Sequence, residues 1–220
     1  MVPNLYPAFE RQEVVVHTPR HARTLADLSV HELEPIASAW QARIDAARRE
    51  GFPYVQVLLN EGREAGASLP HSHSQLVWLR EPPPEAVTEY PQLEPSSCAV
   101  CRILAEHEEL GVAGEPGAEL LAAPAGRVPY ELLIALTEHR PGADEALLVS
   151  ALTLLRTAIL RLRAREGPAP LNAWIHAGAH WHVEVFPRLT VLAGLELGGG
   201  LYVNWLPPEE AAAALREAGG

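Results

Sequence analysis

The chain has 220 residues, of which 48% are hydrophobic and 20% are charged, and its formal net charge at pH 7 is −11. This composition is typical of a globular protein with one or two domains. The negative charge argues against nonspecific binding to nucleic acid, which depends on basic side chains. All 17 basic residues are arginine, which excludes lysine-based mechanisms such as Schiff-base formation.

The sequence shows neither the pattern of a membrane-spanning helix nor that of a secretory signal. No apolar run approaches the roughly 18–20 residues of a membrane-spanning helix. The first residues also lack the basic stretch and apolar run of a secretory signal. We therefore expect a cytoplasmic protein with no membrane partner.

The first predicted elements form a unit that ends in a pair of histidines. Glu13 is followed by an apolar run, typical of a strand, and a polar turn that ends at His21. Apolar residues then recur at steps of three and four from Leu33 to Ile44, which predicts a helix. A second predicted strand, Tyr54 to Leu59, leads to His71-Ser72-His73.

The same order of elements occurs a second time. An acidic residue, an apolar run and a turn ending in histidine span Glu131 to His139. A helix is predicted from Leu148 to Leu162 and a strand from Leu171 to Ile175, followed by His180-Trp181-His182. Two copies of one order indicate a tandem duplication.

The boundary between the two units is predicted within the proline-rich stretch from Glu81 to Pro95, which has the composition of a linker. We therefore divide the chain into an N-terminal half, residues 1–93, and a C-terminal half, residues 94–220. A last short helix is predicted from Glu209 to Ala218.

The histidine pair of the first unit has the properties of a nucleophilic site. His71 and His73 are two residues apart, so on an extended segment both side chains point to one face. Imidazole can attack phosphorus and leave again at neutral pH. The glycines that precede the pair allow backbone N–H groups to approach phosphate oxygens. The alternative is a pair of surface or structural histidines.

The two cysteines, Cys98 and Cys101, are three residues apart. This spacing is typical of a thiolate metal site or a redox pair. Together with His139 and His180, which occupy equivalent places to His21 and His71, they make a tetrahedral zinc set. Such a zinc ion would be structural, because four protein ligands leave no open position. The alternative is a buried cysteine pair with unrelated histidines.

Three segments resemble the galactose-1-phosphate uridylyltransferase family, the transferase branch of the histidine-triad superfamily. They are Thr18 to Leu25, Asn60 to Gln75, and a C-terminal segment made of His180 to Leu189, Gly198 to Asn204 and Pro207 to Glu209. The resemblance extends over nearly the whole chain. It implies an α+β fold made of two histidine-triad-like halves, each an antiparallel sheet with helices across one face.

The resemblance also implies roles for single residues. His73 would be the nucleophile that forms a covalent nucleotidyl-histidine. Gln75 stands where histidine-triad hydrolases carry a third histidine, and would hold the phosphoryl group and protect the intermediate from water. The implied substrate-binding residues are Asn60 and Ser68 at the phosphates, Asn4 near the nucleoside, and Gly199, Gly200 and Asn204 at the sugar phosphate, across the interface of a homodimer.

The implied reaction moves a uridylyl group between UDP-glucose and galactose 1-phosphate. One alternative is an ADP-glucose type phosphorylase, which uses the same intermediate with phosphate as the acceptor. Another is a catalytically inactive protein that binds nucleotide or metal.

Family members begin about 50–80 residues earlier, within the range of normal domain sizes, with a further C-x-x-C that binds zinc beside the equivalents of His21 and His71. We therefore predict no tightly held metal at these two histidines.

The remaining histidines and tryptophans receive structural predictions. We expect His17 to be a hydrogen-bonded core histidine and His182 to be a non-catalytic counterpart of His73. Trp174 and Trp181 are expected in the core. His176 occupies the repeat position of Asn60, and no role is assigned to it.

Overall fold

Nine antiparallel strands form a single sheet in residues 1–219, the part of the chain that the computed structural model describes. The strands, numbered β1 to β9, are Val2–Pro3, Arg11–Val16, Tyr54–Glu61, His73–Leu79, Gly111–Glu115, Ala118–Ala122, Leu132–Leu136, Leu171–His176 and His182–Pro187. Their order across the sheet is β1-β2-β4-β3-β8-β9-β7-β6-β5.

Six α-helices and several short 3₁₀ turns connect the strands. The helices, α1 to α6, are Glu34–Arg49, Pro84–Glu89, Ala99–Glu106, Glu145–Glu166, Gly194–Gly199 and Pro208–Glu217. The 3₁₀ turns are Leu25–Asp27, Val30–Glu32, Arg63–Ala65, Tyr90–Gln92 and Glu108–Leu110. None of the helices within residues 1–219 is both long and apolar enough to cross a membrane.

The predicted α+β class is confirmed, and the two expected sheets are joined edge to edge. The first half contributes β2-β4-β3 and the second half contributes β8-β9-β7 in mirrored order. The two halves meet where β3 pairs with β8, with Leu58 opposite Trp174 and Asn60 opposite Asn172. Joining removes two open strand edges from the centre of the protein. The division between residues 93 and 94 stays a prediction.

Helices α1 and α4 cover one face of this sheet because both are apolar on the side that meets it. Trp40 of α1 is buried and donates its Nε1–H to Ser74 Oγ on β4 at 2.8 Å. Since side chains alternate along a strand, His73 and Gln75 point to the opposite face. Packing of the helices on one face thereby decides that His73 and Gln75 lie on the other face of the sheet.

Helices α1 and α4 extend up to five residues beyond their apolar patterns and strands β3 and β8 by one or two. The linker is more ordered than expected. The stretch from Glu81 to Pro95 contains α2 and a 3₁₀ turn, and Ala86 and Leu93 are buried. The β5–β6 hairpin was not predicted, because its short strands Gly111–Glu115 and Ala118–Ala122 lack a regular alternation of polar and apolar residues.

Glu61, at the end of β3, is a carboxyl group on the buried, helix-covered face of the sheet. It accepts a hydrogen bond from the backbone N–H of Leu25 at 2.5 Å. Burial raises its pKa from 4.5 to about 7, although the Leu25 N–H and the Arg163 charge oppose this, and Asp27 raises it further. The stability that neutral Glu61 contributes is therefore complete below pH 4.5 and is lost as pH rises through 7.

We expect Glu61→Gln to raise the free energy of unfolding above that of the wild type at pH 8, and to do so much less at pH 5. The reason is that glutamine keeps the acceptor for Leu25 and cannot ionise. The gain should approach roughly 3 kcal/mol, from 1.36 kcal/mol per pKa unit. Urea unfolding at several pH values measures it. Exposed Glu64→Gln is the control. Equal pH dependence for Glu61→Gln and wild type would contradict the prediction.

Candidate active site and metal centres

His73, the first residue of β4, is buried and has a defined tautomer. Its Nδ1 lies 2.7 Å from the carbonyl oxygen of His71. A carbonyl only accepts, so Nδ1 carries the proton and Nε2 carries the lone pair. The geometry therefore leaves Nε2 available as a nucleophile.

Ser72 anchors the loop that presents His73. Its N–H donates to Ala22 O at 2.7 Å, its carbonyl accepts from His17 N at 3.1 Å, and its Oγ lies 2.8 Å from His17 Nδ1. Burial lowers the pKa of His17 to about 3, helped by the charges of His73 and His71, so the ring is neutral.

His17 has the core position expected for it, but it is only half hydrogen-bonded. Its Nε2 is buried and has no partner among residues 1–219.

A cleft of about 620 Å³ opens beside His73. Three of the predicted site residues line it together, namely Asn60, Ser68 and His73, and Gln75 follows on the same face of β4. Arg23 and Arg63 also line the cleft. These arginines were not singled out in the sequence, although the chain has no lysine that could bind phosphate in their place.

The other predicted substrate-binding residues lie outside this cleft. Asn4 is beside β2, where its N–H donates to Gln12 O at 2.9 Å. Gly199 and Gly200 are exposed at the end of α5. Asn204 uses its amide to hold its own segment in place, donating to Gly126 O at 3.0 Å and Val128 O at 3.1 Å. Their part in substrate binding stays a prediction.

The four predicted metal ligands converge. Donor atoms of Cys98, Cys101, His139 and His180 all lie within 4.8 Å of one another. Nδ1 of His180 is 3.1 Å from Cys98 Sγ, and Nδ1 of His139 is 3.4 Å from Cys101 Sγ. Zinc bonds of about 2.3 Å to sulfur and 2.0 Å to nitrogen place tetrahedral S and N ligands roughly 3.5 Å apart. The group fits a metal ion of this kind.

The surroundings of His180 favour a ligand role. Its Nε2 lies 2.9 Å from the carbonyl oxygen of Leu136, so Nε2 carries the proton and Nδ1 faces the two sulfurs. Such an outer hydrogen bond fixes the tautomer of a ligating imidazole. Burial also lowers the pKa of His180, which favours the neutral ring that a metal requires.

A second group of possible ligands was missed in the sequence. Donor atoms of Glu89, His176, His182 and Glu184 lie within 4.8 Å of one another. Glu89 Oε2 and His176 Nδ1 are 2.6 Å apart, yet neither is aligned for a hydrogen bond. Glu89 comes from the predicted linker, so no spacing rule connects it to the histidines.

The two halves repeat the same histidine hydrogen bonds. Nδ1 of His182 lies 2.9 Å from His180 O, as Nδ1 of His73 does from His71 O. Nε2 of His71 lies 3.0 Å from Thr18 O, as Nε2 of His180 does from Leu136 O. The duplication predicted from the order of elements therefore extends to single atoms.

The expected core position is confirmed for Trp181 and wrong for Trp174. Trp181 is 2% exposed. Trp174 is half-buried and lines an open cleft on the His73 face with Leu58 and Asn60. The difference arises because Trp174 alternates with the core residues Ala173 and Ile175 along β8.

Comparison with known proteins agrees with the family resemblance noted in the sequence. The model of the family described as "Galactose-1-phosphate uridyl transferase, N-terminal domain" matches residues 7–83. An ADP-glucose phosphorylase of Arabidopsis thaliana is 27% identical over 261 residues, covering 99% of this chain and 73% of that protein. A galactose-1-phosphate uridylyltransferase of Thermotoga maritima is 28% identical over 93% of this chain and 73% of that protein.

Solved structures agree with these sequence matches. The Arabidopsis thaliana ADP-glucose phosphorylase with bound ADP-glucose has a TM-score of 0.88 and 26% identity, over 98% of this chain and 80% of that chain. A uridylyltransferase structure gives a TM-score of 0.88 and 26% identity, over 98% and 79%.

Fold and sequence together define a nucleotidyltransferase of histidine-triad type. The chain is similar to the galactose-1-phosphate uridylyltransferase family, whose N-terminal domain model matches residues 7–83.

We expect Cys98→Ser to remove one bound metal ion per chain and to destabilise the fold by roughly 4 kcal/mol, because metal affinity is contributed only in the folded state. Elemental analysis and urea unfolding measure the two effects. His107→Ala, at a partly exposed histidine at the end of α3, is the control and should keep both. A fully folded, metal-free wild type would refute the prediction.

Proposed function

We propose that this protein transfers a nucleotidyl group from a nucleotide sugar to a phosphate-bearing acceptor through a covalent nucleotidyl-His73. The observation that carries the proposal is the bond from His73 Nδ1 to His71 O at 2.7 Å, which places the lone pair of the neutral ring on Nε2, beside the cleft. The nucleophile therefore needs no general base.

The reaction has two halves. In the first, the Nε2 lone pair attacks the α-phosphorus, a P–N bond forms, and the P–O bond to the sugar phosphate breaks, which releases the sugar 1-phosphate. In the second, a phosphate oxygen of the acceptor attacks the same phosphorus and the P–N bond breaks. The ring is cationic while phosphorylated, and His71 O stabilises it by accepting from Nδ1.

The cleft supplies donors for the negative charge on the transferred group. Asn60 and Gln75 carry amide groups on the His73 face, and Arg23 and Arg63 line the same cleft as His73. Preorganised donors of this kind stabilise phosphoryl oxygens in the transition state. Because the amide of Gln75 cannot accept a proton from water, it does not promote hydrolysis of the intermediate.

Two substrate pairs fit the class. The first is UDP-glucose with galactose 1-phosphate, supported by the family match over residues 7–83 and by the Thermotoga maritima relative. The second is ADP-glucose with inorganic phosphate, supported by the Arabidopsis thaliana relative that matches 99% of the chain. Single-turnover labelling with each nucleotide sugar, followed by each acceptor, distinguishes the pairs.

The proposed metal is a structural zinc ion held by Cys98, Cys101, His139 and His180. When bound, it would supply no chemistry to the reaction and would join α3 to the strand ends of the second half. This role agrees with the place of Cys98 and Cys101 at the start of α3.

We further propose a homodimer. Its support is a run of exposed apolar side chains beyond β9, including Val191, Leu197 and Trp205. Apolar residues concentrated in one exposed segment are typical of protein contact surfaces.

We expect His73→Gly to abolish covalent labelling from radiolabelled nucleotide sugar, because it removes the attacking nitrogen. Added imidazole should restore turnover, since it can occupy the vacated space. Acid-labile, alkali-stable label on the wild type is the measurement, and exposed His31→Gly is the control. A folded wild type that binds nucleotide and takes up no label would establish the inactive alternative.

We expect Gln75→His to shift the enzyme from transfer towards hydrolysis, because it restores the third histidine of the hydrolases and gives water a proton acceptor. The ratio of free nucleoside monophosphate to transfer product should rise by about 100-fold, the lower end of general-base effects. Chromatography of both products measures it. An unchanged ratio with an unchanged rate would refute the role given to Gln75.

A further inference from the structure

Two amide side chains near His73 are each held by a second amide, and each second amide is oriented by the backbone. The first pair is Gln75 on β4 and Gln12 on β2, and the second is Asn60 on β3 and Asn172 on β8. We propose that Gln12 and Asn172 are positioning residues that make Gln75 and Asn60 present NH₂ groups, and not oxygens, to the transferred phosphoryl group. The proposal rests on the proposed function for its catalytic consequence only.

The orientation of Gln12 is set by a backbone donor. The N–H of Ala8 lies 2.9 Å from one polar atom of the Gln12 amide. A backbone N–H can only donate, so this atom must be the oxygen, and the nitrogen of Gln12 must face Gln75. Gln12 Nε2 then donates to Gln75 Oε1 at 2.7 Å.

Gln75 is therefore left with a free donor. Its Oε1 is engaged by Gln12, and its Nε2 makes no hydrogen bond within residues 1–219. Gln75 is on the same face of β4 as His73, two residues away, and its cross-strand partner Leu58 lines the neighbouring cleft. An oxygen in this place would repel the phosphoryl oxygens, whereas an NH₂ group donates to them.

The second pair follows the same logic with a backbone acceptor. Asn172 Nδ2 donates to Ala65 O at 2.8 Å and to Asn60 Oδ1 at 2.7 Å. A carbonyl only accepts, so the identity of this nitrogen is fixed. Asn60 Oδ1 is thereby engaged, and its Nδ2 is left to face the cleft that Asn60 shares with His73.

Neither positioning residue lines the cleft around His73. Gln12 lies at the edge of the sheet beside the Asn4–Ala8 segment, and Asn172 belongs to the other half of the duplication. The donors around the reaction centre thus depend on one contact from the N-terminal segment and one from the C-terminal half.

The decisive variant is Gln12→Glu. Ala8 N–H can still donate to one carboxylate oxygen, but the other oxygen can only accept, so Gln75 must rotate and turn its own oxygen towards the cleft. We expect the rate of nucleotidyl-His73 formation to fall by about 100-fold, as for loss of a transition-state donor. Gln12→Met releases the Gln75 amide without forcing it to turn over. It should lower the rate of nucleotidyl-His73 formation by less, about tenfold.

A double-mutant cycle separates positioning from a direct effect of the new charge. If Gln12 acts through Gln75, then Gln12→Glu adds no loss to Gln75→Ala. If the two losses multiply, or if Gln12→Glu stays within twofold of wild type (about 0.4 kcal/mol), the proposal is overturned. Gln92→Glu makes the same charge change at an exposed site and is the control. Asn172→Asp against Asn60→Ala gives the equivalent cycle for the second pair.

A spectroscopic readout keeps the inference separate from the proposed function. The side-chain NH₂ resonance of Gln75, assigned by its loss in Gln75→Ala, should move downfield in Gln12→Glu, where it gains a carboxylate acceptor, and stay in place in Gln92→Glu. An unmoved resonance overturns the orientation argument. Failure of the wild type to take up label would overturn the proposed function instead, since the NMR result does not require activity.

Discussion

The pairing of β3 with β8 is the contact on which the rest of the protein depends. It joins the four strands of the first half and the five strands of the second half into one sheet and places Asn60 of the first opposite Asn172 of the second. A four-residue ladder would be weak alone, but it is covered by α1 and α4, which pack on the same side of both halves. The His73 face of the sheet is consequently continuous, and side chains of one half can orient those of the other.

The duplicated halves keep one backbone arrangement and differ in the residues attached to it. In each half the second histidine of the pair donates from Nδ1 to the carbonyl of the first. The neighbours differ, because glutamine (Gln75) lies two residues after His73, whereas glutamate (Glu184) lies two residues after His182. The second histidine of the later half is enclosed by carboxylates and by His176, which it stacks against at 4.8 Å between ring centroids. The same geometry thus places a histidine beside a cleft in one half and within a closed polar cluster in the other.

Hydrogen bonds to the backbone decide the tautomer of the important neutral rings and the orientation of the important amides. A peptide carbonyl only accepts and a peptide N–H only donates, at every pH. A neutral imidazole or an amide that bonds to either group therefore has the donor or acceptor role of its second polar atom fixed. This holds for His73, His180, Gln12 and Asn172. The chemistry therefore rests on the fold and not on the overall charge of −11, which would by itself repel a nucleotide.

The sequence alone determined the repeated order of elements, the histidine pair and the C-x-x-C set, because each is encoded in local spacing. Apolar periods of two and 3.6 residues identify strands and helices, and His71 to Gln75 is continuous in the chain. The tertiary structure alone decided that Glu89 meets His176, that Trp174 faces a cleft and that Gln12 holds Gln75. These contacts join residues from separate strands and helices, and which ones meet depends on register and on the packed face, neither of which local spacing contains.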